Sequence, residues 1–250
     1  MTNSVLLTRQ SAWSFFYRFG LFDPVIPINY DLSIKGAFEA LAPKVSDRII
    51  DVGCGNGRLI HHARSWLNEG GRLVGVEISQ GGADYARYRA EKFGCADKVT
   101  IKQGDMRHLK DLNLGFFEGA VAHFSVYMLA TQSERRGVIK EISSLLKPGA
   151  KLVLAVPSEN WAVKNIFTHA RKVESERHDV NWLYKIFRQW VIYPLTATGF
   201  SDLEKGLDKD IFHRYTPEEI REHLVNGGFE EIEIESIYGG NGYRAISKKI

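Results

Sequence analysis

Cysteine is nearly missing from this 250-residue sequence, which holds Cys54 and Cys95 only. Two thiols make neither a disulfide framework nor a four-ligand metal site, and no metal is expected; a reducing cytosol fits such usage. No apolar run approaches the roughly 18 residues that span a bilayer. Met1 to Gln10 lacks the charged-then-apolar pattern of a signal peptide, so the expectation is a cytoplasmic protein. An excess of one charge is lacking too. The 33 Lys and Arg against 30 Asp and Glu leave a scattered +3, which argues against a nucleic-acid partner. Repeats and low-complexity tracts are absent. What remains, 44% apolar and 25% charged residues, is ordinary globular material, and the chain is long enough for a substantial core.

The most informative stretch is Arg48 to Leu59, R-I-I-D-V-G-C-G-N-G-R-L. A short β-branched run ends at Asp51-Val52, glycines follow at 53, 55 and 57, and a helical pattern begins at Arg58. This predicts a strand, a tight turn and a helix N-terminus. Glycine reaches positive φ cheaply and lets a ligand lie against bare backbone. The dinucleotide fingerprint G-x-G-x-x-G does not match, because Arg58 stands where it requires glycine, so a diphosphate ligand is disfavoured. Further on, Leu73 to Val76 reads as a second strand ending at Glu77, an acid placed to accept both hydroxyls of a ribose. A third strand, Lys98 to Lys102, runs into Gln103-Gly104-Asp105-Met106, and a fourth, Phe116 to His123, ends in Ala122-His123. A capping box, Thr131 to Glu134, opens a helix to Leu146, and Lys151 to Val156 is the fifth strand.

Outside this core, residues 8 to 22 crowd Trp13, Phe15, Phe16, Tyr17, Phe19 and Phe22 into a helical pattern that Pro24 and Pro27 end. It reads as a helix packed on the core or as a lid over an apolar pocket. Ser33 to Leu41 reads as a short amphipathic helix. Residues 158 to 213 exceed a βα connection of ~2 to 6 residues. Val163, Ile166, Phe167 and Ala170 have helical spacing, and Leu183, Ile186, Phe187, Trp190 and Val191 repeat it. Their polar faces, with Arg188, Glu174 and Asp179 among them, read as solvated, and the pair as a cap that closes an acceptor pocket and touches a membrane surface through Trp182 and Trp190. Thr216-Pro217-Glu218-Glu219 opens another capped helix, with Glu219 closing the box, and the alternating run from Phe229 and Gly242 to Lys248 forms a terminal hairpin.

A strand ending in acid, G-x-G-x-G, an acid after the second strand and G-D plus an apolar residue after the third resemble the class I S-adenosylmethionine-dependent methyltransferases, small-molecule type, similar to those of ubiquinone and menaquinone biosynthesis. The resemblance covers residues 30 to 156. It implies an α/β fold, a Rossmann-like seven-stranded, mostly parallel sheet with helices on both faces, an antiparallel C-terminal hairpin and a helical insertion as cap. The segments would be an aromatic lid (1–45), a cofactor-binding core (46–157), the cap (158–213) and a helix and hairpin completing the sheet (214–250). S-adenosyl-L-methionine would lie on Gly53, Cys54, Gly55 and Gly57, its amino group near Asp51, its ribose on Glu77 beside Ile78, and its adenine at Asp105 and Met106. Tyr30 of a Y-D pair, Ala122 and His123 would complete the site.

Two departures mark the acceptor side. Glu118 replaces a usual Asp, and Tyr127-Met128 stands where many relatives have paired histidines. His123 is the candidate base because it ends the fourth strand and imidazole titrates near neutrality, with Tyr127 as a second candidate. Glu159, His213 and Tyr215 are further acceptor-side groups. The expected partner is a small, lipophilic or aromatic acceptor, methylated on O, N or C. Rivals are a protein or nucleic-acid methyltransferase, whose amide-methylating motif is replaced here by A-H-F-S-V, a non-catalytic cofactor-binding subunit, and an NAD-dependent dehydrogenase.

Overall fold

Apolar runs too continuous for a half-solvated strand make the centre of the sheet, as expected of parallel strands covered on both faces. In the computed structural model, which describes residues 26–178 and 181–250, these runs are β1 (Arg48–Val52), β2 (Arg72–Glu77), β4 (Phe117–His123) and the second half of β5 (Leu146–Pro157), while β3 (Val99–Gln103), more polar and mostly exposed, is the edge strand beside β2. Two antiparallel strands, β6 (Phe229–Ile237) and β7 (Gly242–Lys249), complete a seven-stranded sheet in the order β3-β2-β1-β4-β5-β7-β6. The order reverses direction between β1 and β4, which are parallel neighbours, and there an open α/β sheet leaves a crevice beyond its strand ends.

Alternation along the strands feeds two cores. Ile50, Val52, Ala122, Leu152 and Leu154 face one side, packed with Val138, Ile139 and Ile142 of a helix at Gln132–Leu145. Ile49, Val121 and Val153 face the other, with Ile34, Ala37 and Leu41 of α1 (Ile28–Leu41) and Ala83 and Ala86 of a helix at Gln80–Lys92. The capping box forms as its sequence demands, with Thr131 Oγ1 accepting from the Glu134 N–H at 3.1 Å. Glu118, where the family motif has Asp, accepts from the Arg48 N–H at 2.9 Å and pairs with Lys147, tying β4 to β1.

The structure corrects several local expectations. α1 begins directly after Pro27, whose fixed φ suits the residue before a helix, so Tyr30 and Asp31 lie within it. The helix expected over Arg58 to Leu67 is two short ones, Arg58–His62 and Arg64–Asn68, parted at Ala63. Glu219 does not close a second capping box; its carboxylate takes the His213 ring at 2.7 Å, and Thr216 caps alone.

In the insertion, Val163–Glu176 packs its apolar stripe as expected. Glu174 and Arg188, expected on solvated faces, are buried together at 1% and 8% exposure, with Tyr193 donating to the same carboxylate. The second stripe is the reverse. Over Trp182–Phe187, the turn at Arg188–Ile192 and Tyr193–Asp208, residues 188, 192, 193, 203 and 207 face inward, while Trp182, Phe187, Trp190 and Leu195 stand in solvent. The aromatic stretch 8–22 and Asp179 lie outside the described residues. No helix among the described residues is long and apolar enough to cross a membrane.

Gly57 takes φ +73° where the turn becomes a helix, and a Cβ there would sit 2.9 Å from Ala86 Cβ and 3.1 Å from Ala86 Cα. Gly57→Ala therefore combines left-handed strain with a helix forced off its neighbour. It should lower unfolding free energy by about 1 to 3 kcal/mol, read from the urea midpoint; an unchanged midpoint would contradict the packing described.

Candidate functional site

The carboxyl ends of β1, β2, β3 and β4 open into one cavity of about 490 Å³, within the range of small-molecule sites. One residue holds three of those ends together. Glu77 accepts from the Gly55 N–H at 3.0 Å and from the Ser79 N–H at 2.9 Å through its carboxylate, while its carbonyl accepts from the Gly104 N–H at 3.0 Å. The turn is pinned again where Gly53 and Cys54 donate to the Val76 carbonyl at 2.8 and 3.0 Å. Gly53 has φ +76°, and a Cβ there would lie 2.4 Å from Ser125 Cβ, so glycine is required on conformation and on space. Ser125 in turn donates to the Val52 carbonyl at 2.7 Å.

Two carboxyl groups of this half are buried and raised. Asp51 is pushed up to about 7, first by burial and then by the charge of Glu77. Glu77 is raised by burial, against the backbone N–H groups that favour its charged form. A ligand bringing hydroxyl donors or positive charge here would restore both. Asp105 differs. Burial would raise it, but the Arg107 guanidinium, within 2.6 Å, and the Arg107 N–H outweigh that and hold it below the usual carboxylate range. Arg107 also reaches Glu134 at 2.8 Å, so the rim over β3 is a carboxylate–guanidinium–carboxylate chain.

The other half is aromatic. Tyr30 of α1, Phe124 after β4, Trp161 and Phe200 of the insertion and Tyr238 line it, with Phe124 in the left-handed region at φ 49°. Strain of this kind collects at functional sites. His123 belongs to this half, its ring edge-on to Tyr30 and Phe124 and its Nε2 2.9 Å from Ser33 Oγ. Burial, then the charges of Arg244 and His62, push its pKa down to about 3, far from the range in which an exposed imidazole titrates. It is a neutral hydrogen-bonding group here. Tyr127 lines the same half, its phenol raised by burial.

Of the residues expected at the site, Tyr30, Asp51, Gly53, Cys54, Gly55, Glu77, Ile78, Asp105, Met106, His123 and Tyr127 line the cavity. Gly57 and Ala122 do not: Gly57 packs on Ala86, and the strand alternation turns Ala122 into the core. Cys54 reaches the cavity, and its side chain also packs under the turn, near Gly75. Glu159, His213 and Tyr215 lie outside it, Glu159 accepting from the Tyr243 hydroxyl and His213 held by Glu219. The sequence reading missed Arg107, Ser79, Phe124, Trp161, Phe200 and Tyr238. Ser79 had a signal, as a serine heading a helical run, and it does cap the Gln80–Lys92 helix. The insertion aromatics had none, since only the tertiary fold brings them to β4.

Asp31 accepts from Arg58 at 2.6 Å and pairs with His62 at 2.9 Å, fixing α1 to the helix that follows the glycine turn. Among the described residues no group of three or more metal-ligating side chains is present.

A family model described as a methyltransferase domain matches residues 43–216. Among curated proteins, the methyltransferase GfsG of Streptomyces halstedii is 27% identical over 120 residues, 47% of this chain and 40% of that protein. The chain therefore spans about two fifths of that relative's length. The demethylmenaquinone methyltransferase of Symbiobacterium thermophilum is 24% identical over 78% of this chain and 72% of its own. Among solved structures, magnesium protoporphyrin IX methyltransferase of Synechocystis PCC 6803 with bound SAH superposes with a TM-score of 0.58 at 13% identity, over 89% of this chain and 84% of that one.

The Asp51 environment has a sign that can be measured. Its folded pKa lies above the ordinary 3.8, so between about pH 4 and 7 it is neutral in the fold while already ionised in the unfolded chain. Folding is penalised progressively as pH rises from about 4 to 7, and the penalty is constant above that. Asp51→Asn should raise the ligand-free unfolding free energy at pH 8 by about 1 to 3 kcal/mol and flatten its fall between pH 4 and 7. Parallel pH profiles for both proteins in urea would contradict this.

Proposed function

The chain belongs to the methyltransferase-domain family, and on that premise we propose that it transfers the methyl group of S-adenosylmethionine to a small lipophilic or aromatic acceptor. The supporting observation is one cavity lined by two unlike sets of residues, a glycine and carboxylate cradle and an aromatic box that includes His123. Gly53, Cys54 and Gly55 lie under the methionine part, and Asp51 faces its ammonium. Glu77, already aimed by two backbone N–H groups, takes the ribose hydroxyls, and Ile78, Asp105 and Met106 border the adenine. Asp105, both of whose oxygens accept from Arg107, would also accept from the adenine amino group. Two raised carboxyls facing one cleft fit a ligand with a cation and a diol.

When bound, the cofactor supplies an electrophilic methyl on a sulfonium. The chain supplies alignment and dryness, which is what a displacement that loses charge mainly requires. Tyr30, Phe124, Trp161 and Phe200 exclude water from the acceptor side. A base is needed only when the acceptor has a proton to lose; His123 could hold one at Nδ1, while Tyr127, its phenol kept protonated by burial, could orient the acceptor as a hydrogen-bonding group. The 1–45 segment is the proposed lid and 158–213 the cap, in a cytoplasmic protein. Peripheral contact of that cap with a membrane is supported by Trp190 and Trp182, exposed to 77% and 65%, and by the lack of any acidic residue from Asn181 to Ser201.

With S-adenosylmethionine and a panel of phenols, quinols and amines, S-adenosylhomocysteine should be released with at least one acceptor. Cofactor uptake with no release across the panel would favour a binding subunit. Glu77→Gln sets an NH2 group against the Gly55 or Ser79 N–H and should weaken S-adenosylhomocysteine binding roughly 10- to 100-fold; full affinity in the variant would remove Glu77 from the site. Wild-type protein should co-sediment with vesicles of 70% phosphatidylcholine and 30% phosphatidylglycerol, and Trp190→Ser should lose most of that binding. Equal sedimentation of both would exclude this face.

A further inference from the structure

At the rim over β3, Arg107 surrounds Asp105 with donors. Oδ1 accepts from the Arg107 N–H at 2.9 Å and from Nε at 3.1 Å, and Oδ2 accepts from Nε at 2.9 Å and from Nη2 at 2.6 Å. The far side of the same guanidinium is held too. Arg107 Nη1 donates to Glu134 Oε1 at 2.8 Å, and the other oxygen of Glu134 accepts from the Thr131 N–H and hydroxyl at 3.1 Å. An exposed ion pair between two freely moving side chains contributes little. This one joins a short side chain to a guanidinium fixed at both ends, and Asp105, Arg107 and Glu134 all line the cavity.

Counting acceptor places narrows what Asp105 offers a ligand. An ionised carboxylate has about four lone-pair sites and no hydrogen to give. The N–H, Nε–H and Nη2–H of Arg107 occupy three of them, which leaves about one. The fork also fixes the plane of the carboxylate. Burial alone would raise Asp105, but the Arg107 side chain and then its N–H reverse this and keep the group ionised at neutral pH. Facing it besides Arg107 are His108, exposed on the same turn, and, across the guanidinium, Glu134 on the helix packed against that turn; Glu77 lies on the neighbouring strand β2.

We infer that Arg107 is a positioning residue that sets the base preference of the cavity: by filling the other acceptor places of Asp105 and fixing its plane, it leaves one lone pair for one ligand N–H, so the site takes a 6-aminopurine and refuses a 6-oxopurine. This rests on the reading of Asp105 as the adenine contact and adds the residue that enforces the choice. A 6-oxo group sets its own lone pair against that of Asp105 and leaves both unanswered, which a site built to hydrogen-bond its ligand penalises strongly. Without Arg107 the carboxyl group turns freely, and burial favours its protonated form. A carboxylic acid donates, so it accepts the 6-oxo oxygen as a partner.

Isothermal titration of S-adenosylhomocysteine and its 6-oxo analogue, S-inosylhomocysteine, at pH 5, 6.5 and 8 tests this. Wild-type protein should prefer the adenosyl compound roughly 100-fold or more at all three pH values. Arg107→Met should lose roughly tenfold of that preference at pH 8 and more as the pH falls to 5. Arg107→Lys, which keeps the charge without the fork, should restore the flat pH profile and only part of the preference. Independently of any ligand, the Asp105 side-chain carbon, identified in carbon-13 spectra by its loss in Asp105→Asn, should titrate about one pH unit or more higher in Arg107→Met than in wild type. Tight S-adenosylhomocysteine binding with the same ratio and profile in Arg107→Met, or equal Asp105 midpoints in the two proteins, would overturn the role of Arg107 alone. Wild-type protein that binds neither compound would overturn the cofactor reading and the base preference together.

Discussion

Glu77 ties three strand tips together. Its carboxylate takes the N–H of Gly55 from the turn after β1 and that of Ser79 from the helix after β2, and its carbonyl takes the N–H of Gly104 after β3. Together with the Gly53 and Cys54 bonds to the Val76 carbonyl, these bonds order the glycine turn, and an ordered loop keeps its shape for a ligand because little remains to be ordered on binding. The burial that makes the arrangement rigid also raises Glu77 and Asp51 together. Hydroxyl donors or a cation entering the cleft would favour the charged form of both carboxyls.

The two halves of the cavity come from different parts of the chain and do different physical work. Strand ends and their turns supply backbone N–H groups and carboxylates, fixed by the sheet to within hydrogen-bond geometry. The insertion supplies Trp161 and Phe200, and α1 supplies Tyr30, closing the far side with rings. Aromatic edges and faces hold planar, apolar molecules and leave few waters to solvate a nucleophile. Such a division lets one cofactor half serve many acceptors, since only the second half has to change. Among the described residues lining the cavity the one imidazole, that of His123, is neutral, bonded to Ser33 and set among rings.

What was legible in the sequence follows from distance along the chain. Strands, the glycine turn and the acids at 51, 77 and 105 lie within local patterns, so period and spacing reveal them, and the seven-stranded, mostly parallel sheet with its antiparallel end was implied by the family resemblance. The insertion was harder. Glu174 and Arg188 look like solvated charges, but they are 14 residues apart and meet only after two helices fold back, where Tyr193 joins them. The stripe at 183, 186, 187, 190 and 191 has good helical spacing, but the turn at Arg188–Ile192 directs Arg188 and Ile192 inward and leaves the stripe outside. Tyr238 lies more than a hundred residues beyond Phe124 and reaches it only because β7 pairs with β5.

The ligand proposed for the cradle is an adenosyl group with a positive charge and no diphosphate. Isothermal titration of the untouched protein with S-adenosylhomocysteine and, separately, with NADH measures this directly. Saturable one-to-one binding of S-adenosylhomocysteine with no detectable heat from NADH is the expected result. Binding of NADH with none of S-adenosylhomocysteine would contradict it.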